Sequence, residues 1–373
     1  MLDGELVRRF LIGSVRWLVA LVALAITGWG ALALAVVGPG GDNGRLALAA
    51  VYGVAGLAAV VALVLHRGLR FALPVFAIAL VAISVWWGGL RPSNERDWQP
   101  EVARLAYATI NGDMVTVHNI RNFDYRTETD FTPAYYDRTF DLNKLDSVDL
   151  VAVYWMGPAI AHLLLSFGFG DDHLAISIEA RKEKGEGYSS VKGFFRQYEL
   201  YYVVADERDV LRVRTNYRKD PPEDVYIYPL RAPRENMRRI FLEYIRKMNA
   251  LREHPEFYNT LTTNCTTAIL MNARVNPDSL PFSWKVLLSG YTPAYVYEAG
   301  RMDQSLPFEE LKRRSLVNAA AQAADQAPDF SRLIRAGLPS TMPNSHRPYP
   351  PEFRARVVDL VREGQTPEEP GAS

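Results

Sequence analysis

The sequence predicts a membrane-anchored protein of mixed class: an N-terminal bundle of three transmembrane helices followed by an α+β globular domain. Three observations carry this. Uncharged apolar runs of membrane-spanning length follow one another at residues 17–37, 46–65 and 71–90. Charge is unevenly spread: the first 90 residues hold six basic and three acidic side chains, whereas the rest of the chain holds 36 and 39. Beyond residue 97, short stretches of strand type give way to a long stretch of helical period.

The apolar runs are joined by a turn-rich loop at 38–45 and a tight basic loop at 66–70. A secretory signal would be a single shorter run with a small-residue cleavage site. Arg8, Arg9 and Arg16 precede the first run, Arg67 and Arg70 lie in the second loop, and the first loop carries only Arg45. The positive-inside rule then puts the N-terminus and second loop in the cytoplasm and everything after Leu90 outside. Trp86 and Trp87 suit an interfacial aromatic belt at the outer end of the third run. The runs contain no Asp, Glu, Lys or His, so they read as an anchor rather than an ion or proton pathway.

Residues 91–97 form a polar linker. Strands are predicted at 114–117, 147–155, 161–169, 174–178, 199–204, 210–214 and 225–230, with hairpin turns over 170–173 and 205–209. Met237, Ile240, Phe241, Tyr244, Ile245, Met248 and Leu251 then trace one face of a helix that ends near His254-Pro255. A second short helix begins at Thr263 or Asn264 and runs to about Ala273. The expected organisation is an anchor over 1–90, a globular domain over 98–300 and a C-terminal extension over 301–373. The last stretch, 363–373, is rich in Pro, Glu and Gly and reads as disordered.

Composition excludes several classes. With 42 basic and 42 acidic residues the chain has no net charge, which argues against nucleic acid as a partner. One cysteine forbids an intrachain disulfide and any site needing two thiolates. No nucleophile-elbow serine motif, phosphate-binding glycine loop, zinc-protease helix or calcium loop is present, so no metal and no cofactor is expected.

Cys265 lies in the first turn of the second predicted helix, where unpaired N–H groups and the helix dipole favour a thiolate. The same place also suits a small buried residue of a helix face. A nucleophilic thiol needs a base, usually histidine, and a group that orients it. If Phe169 pairs with Leu174 across the 170–173 turn, His162 faces Arg181 and has Glu179 as its diagonal neighbour. His162, Ser177, Glu179 and Arg181 then line one side of the hairpin. His173, in the turn itself, suits a solvated histidine, and Glu179 alone would read as a solvated charge in an acidic and basic run. Arg121 and Arg126, in a basic and aromatic stretch, could contact lipid phosphates; internal salt bridges are the plainer reading. Asn264, beside the thiol, is a further candidate contact to substrate.

The stretch from about Trp98 to Leu270 resembles the bacterial Lnb N-terminal periplasmic domain family. The resemblance rests on the runs 119–123 (NIRNF), 166–169 (SFGF), 176–183 (ISIEARKE), 195–200 (FRQYEL) and 258–267 (YNTLTTNCTT), and on Trp155 followed by Ala161-His162. It implies a circularly permuted papain-like fold of the NlpC type, in which a histidine at a strand start precedes a cysteine at a helix start. His162 and Cys265 occupy those slots, with Glu179 as the third residue. The implied activity is lipoprotein N-acyl transfer, in which an acyl chain passes from a phospholipid to the cysteine and then to the α-amine of a lipoprotein. The implied place is the bacterial inner membrane, multi-pass, with the catalytic domain in the periplasm. Related folds include peptidoglycan amidases and peptidases, and a non-catalytic envelope assembly protein is a third reading. No apolar acyl groove is evident in the sequence.

Overall fold

The computed structural model describes residues 4–339; the predicted disorder of 363–373 lies outside them. Three long apolar helices, α1 (Gly4–Val37), α2 (Gly41–Leu65) and α3 (Leu69–Gly89), pack together ahead of a mixed α+β domain. Each contains a stretch long and apolar enough to cross a membrane: Phe10–Val37, Gly41–Leu65 and Leu69–Gly89. Ala23, Leu34, Tyr52, Ala59, Phe76 and Ile83 form the centre of the bundle. Gly56 lies directly under Thr27, and a Cβ there would collide with it; close helix approach at small residues is how apolar helices gain packing without a hydrophobic drive.

The linker is not a free tether. Asn94 Nδ2 donates to the carbonyls of Leu251 (2.9 Å) and Arg252 (3.1 Å), and Arg96 pairs with Glu183 (2.8 Å) and Glu199 (2.6 Å). The domain then runs β1 (Tyr107–Asn111), β2 (Met114–Arg121), β3 (Asp124–Tyr125), β4 (Phe131–Thr132), β5 (Tyr135–Asp141), β6 (Ser147–Tyr154), β7 (His162–Phe169), β8 (Asp172–Arg181), α4 (Ser190–Gly193), β9 (Glu199–Ala205), α5 (Glu207–Val210), β10 (Asp224–Pro229), α6 (Arg234–Glu253) and α7 (Cys265–Ala273). Eight strands form one sheet in the order β1-β2-β9-β8-β7-β6-β10, with β5 pairing β2. All pairs are antiparallel except the single β2–β9 bridge.

Alternation along the strands builds two cores. Leu163, Leu165 and Phe167 face α6, whose Phe241, Tyr244 and Ile245 are fully buried against them. Leu164, Val151, Val203 and Ala175 face the other way. That second face is covered by Val317, Ala321, Phe330 and Ile334, so residues beyond 301 close the sheet. Arg335 fastens them, bonding Asp149 (2.6 Å) and Glu207 (2.7 Å) beneath the sheet.

Two local expectations are corrected. Residues 205–214 do not make a hairpin. Asp206 caps a helical turn by accepting from the Arg208 N–H, and α5 leads into a π-helical turn at Val213–Tyr217. Asp206 is a favourable N-cap residue, and its local hydrogen bond prevails over the strand-like pattern of 210–214. The β7–β8 register also differs by two residues. Phe169 pairs with Asp172, not Leu174, because Gly170 at φ +68° allows a two-residue turn. A shift of two preserves the faces, so His162, Ser177 and Glu179 still share one side.

Candidate active site

The β7–β8 ladder stops at Leu164–Ser177, while β6 continues to pair with β7 as far as His162. The strands therefore part at the start of β7, and the first residue of α7 meets that junction. Asn264 fixes the helix there: its Oδ1 accepts the N–H groups of Thr266 (2.9 Å) and Thr267 (2.8 Å), and its Nδ2 donates to the Thr260 carbonyl (2.6 Å). Asn264 is thus a helix cap whose polar atoms are engaged within the chain, not a free substrate contact.

His162, Ser177 and Glu179 form a connected series. The Ser177 hydroxyl donates to Glu179 Oε1 (2.9 Å) and lies 2.6 Å from His162 Nε2. A hydroxyl has one proton, so the oxygen that donates to Glu179 must accept from the imidazole. Nε2 therefore carries hydrogen, and Nδ1 is the nitrogen left for the thiol. Glu179 Oε1 is also 3.5 Å from Nε2, and Arg214 Nη2 is 3.3 Å from the same oxygen.

Charge couples the histidine to the cysteine. Burial lowers the imidazole's pKa and raises the thiol's, since it disfavours both charged forms. Their attraction for each other outweighs burial: His162 is pushed up to about 9 and Cys265 is brought down to about 7. The Leu163 N–H and the Thr266 hydroxyl add hydrogen bonds that favour the thiolate. Glu179 resists the pull of burial and is held well below the usual carboxylate range by His162, Arg214 and Arg121. Among the described residues the Cys265 N–H has no acceptor, and it projects from the helix start beside its own sulfur.

The remaining sequence candidates lie elsewhere. Arg121 is buried and held by Asp209 (2.7 Å) and the Glu101 carbonyl (3.0 Å), so it is an internal ion pair and not an outward phosphate contact. Arg126 is exposed and bonds Asp130 (2.9 Å) and Thr132 (3.0 Å). Arg181 turns away from the site to the carbonyls of Val102 and Ala103 (both 2.9 Å). His173 pairs in register with Gly168, six residues along β7 from His162 and so about 20 Å away. Among the described residues no group of three His, Cys, Asp or Glu side chains could hold a metal ion.

Two features escaped the sequence. Arg214 reaches Glu179 only because residues 213–217 coil into a π-turn. An apolar cavity of about 160 Å³ lies between β7, α6 and α7, lined by Leu163, Leu165, Met237, Thr266, Ile269 and Leu270 among others but not by Cys265 or His162. Leu163 and Thr266 line the cavity and also hydrogen-bond the Cys265 sulfur, so the cavity comes within one residue of the thiol. No local pattern announces it, since its walls come from β7, α6, α7 and the segment after α7.

Residues 131–290 match the Lnb N-terminal periplasmic domain family. The matched region takes in His162, Ser177, Glu179, Arg214 and Cys265, whereas Arg121 and Arg126 precede it. No match was found among curated proteins or solved structures. The chain thus joins three candidate membrane-spanning helices to a region, residues 131–290, that matches the Lnb N-terminal periplasmic domain family.

Proposed function

We propose that this protein is a membrane-anchored, thiol-dependent acyltransferase of a permuted papain-like type, with Cys265 as nucleophile, His162 as base and acid, and Glu179 as the group that orients the imidazole. The observation that carries the reading is the series Glu179–Ser177–His162 ending at Cys265 on a helix start. An apolar cavity whose walls include Leu163 and Thr266, the two residues that hydrogen-bond the thiol, favours a hydrocarbon acyl group over a polar peptide. The resemblance to the Lnb N-terminal periplasmic domain family, matched over residues 131–290, implies a substrate drawn from membrane lipid and lipoprotein.

In the first half-reaction the Cys265 thiolate attacks the carbonyl carbon of an ester. The C–S bond forms, the ester C–O bond breaks, and the His162 imidazolium gives its proton to the departing alkoxide. The Cys265 N–H is placed to bind the oxyanion that develops between these events. In the second half an amine attacks the thioester carbonyl. The C–N bond forms, the C–S bond breaks, the thiolate returns, and His162 takes the proton lost by the amine.

Intact mass of the full chain after incubation with phospholipid vesicles tests this. An added fatty-acyl mass, removed by hydroxylamine and missing from Cys265→Ala, is the expected result. No adduct, together with cleavage of a peptidoglycan peptide, would replace the transferase with a hydrolase.

A further inference from the structure

Arg196 joins the domain to the membrane bundle. Its Nη1 donates to the Trp87 carbonyl (2.8 Å) in the last turn of α3, and its guanidinium lies 4.6 Å from the Trp87 ring centre. Trp87 in turn packs on Trp29 of α1 with ring centres 4.9 Å apart. Tryptophans at the end of a spanning helix settle at the headgroup level, so Arg196 and its neighbours lie at that level too. Just ahead of it, the one-turn helix α4 leaves Val191 55% and Phe194 38% exposed, three residues apart and so on one face. Tyr188 and Leu261 are each 51% exposed. Leu261 is tied to the same place, because the preceding Thr260 bonds the carbonyls of Ser190 (2.7 Å) and Gly193 (3.4 Å). Lys192 is exposed among these apolar side chains.

We propose that Tyr188, Val191, Phe194 and Leu261 form a docking rim that seats in the interfacial layer of the bilayer crossed by α1–α3. The occupant is lipid, because the rim continues the contact already made with the aromatic end of α3. Its composition, exposed apolar side chains with the cations Lys192 and Arg196 beside them, suits acyl chain and headgroup phosphate together. The rim borders the Cys265 site: the loop that carries Leu261 leads within four residues to Cys265, and the hydroxyl of Tyr258 in the same loop lies 3.2 Å from that of Tyr188. Docking would therefore open the Cys265 site onto the membrane rather than onto bulk solvent. The docking itself does not depend on the chemistry at Cys265; only its use for acyl transfer rests on that reading.

The full chain with Cys265→Ser has no cysteine, so Val191→Cys, Phe194→Cys and Leu261→Cys can each carry a single environment-sensitive fluorophore. Ile110→Cys is the reference. It is 53% exposed next to the β1–β2 turn, where Asp113 meets Arg238, about 20 Å along α6 from the end that the linker binds. In phosphatidylcholine–phosphatidylglycerol vesicles, the three rim probes should be quenched by lipid spin-labelled high on the acyl chain and shielded from aqueous iodide, with the reverse at residue 110. Rim probes as open to iodide as residue 110 would overturn the proposal. Probes shielded from both quenchers would do so too, by pointing to protein cover. Three positions are read separately, so one poorly folded variant does not decide the result. Lipid-quenched probes with no acyl adduct on the native chain would keep the rim and remove the acyltransferase reading; an adduct with water-exposed probes would do the opposite.

Discussion

Arg214 Nη2 lies 3.3 Å from Glu179 Oε1, the same oxygen that accepts the Ser177 hydroxyl. Arg214 also reaches Glu223 at 3.3 Å, and Glu223 is bound by Arg218 at 2.8 Å. Glu179 is therefore held from behind by a buried arginine, which keeps it ionised and opposes protonation of His162. In Arg214→Met the His162 imidazolium should persist to higher pH. The alkaline limb of turnover should move up by about one pH unit, the usual scale of such perturbations. Arg214→Lys should restore the limb in part. A profile unchanged in a folded Arg214→Met protein would remove Arg214 from the site.

On the proposed mechanism the Cys265–His162 pair sets the pH window. The thiolate is populated as pH rises through about 7, and the imidazolium is lost as pH rises through about 9. Turnover should trace a bell between these limits, which belong to the pair and not to either residue alone. Alkylation of Cys265 by iodoacetamide should rise near pH 7; a midpoint near 8.5, that of a free thiol, would contradict the pairing.

Ser177→Ala removes the acceptor that keeps hydrogen on Nε2 while leaving a small residue in β8. The imidazole is then free to take either tautomer. One hydrogen bond is worth about 1 kcal/mol, so kcat should fall by about fivefold, with little change in thermal stability. Steady-state kinetics beside a melting curve checks both halves.

Ile269→Trp places a ring in the apolar cavity that Thr266 and Leu163 also line. Acyl chains that need that space should react more slowly while short ones are spared. Intact-mass adducts formed from donors of graded chain length measure this. A uniform loss across all lengths would mean that the cavity does not hold the acyl group.

Arg335→Met strands two buried carboxylates, Asp149 and Glu207. Breaking a buried ion pair from one side costs about 3–5 kcal/mol, so the melting temperature should drop markedly at neutral pH. Burial acts against the Glu207 charge, but Arg335 lowers its pKa to about 2. That stabilisation is present in full above the unfolded carboxyl range and fades as pH falls toward 2. The gap between native and variant melting temperatures should therefore narrow in acid.

Much of this protein was legible without coordinates because the signals are local. Runs of apolar residues fix the spans, a period of 3.6 fixes α6, and Asn264 ahead of Cys265 fixes the start of α7. Alternation alone places His162, Ser177 and Glu179 on one face, and the two-residue slip at Gly170 leaves that intact because strand faces repeat every two residues. What the tertiary structure decided are relations between segments far apart in the chain. The parting of β7 from β8 lets a thiol from residue 265 meet an imidazole from residue 162. The π-turn brings Arg214 to Glu179, and Arg196 reaches back 109 residues to Trp87. Residues 317–335 close a sheet face that no pattern within them reveals as their target. Periodicity tells each segment which side to bury; which partner covers it depends on packing and on buried charges finding one another, and that is a property of the whole chain.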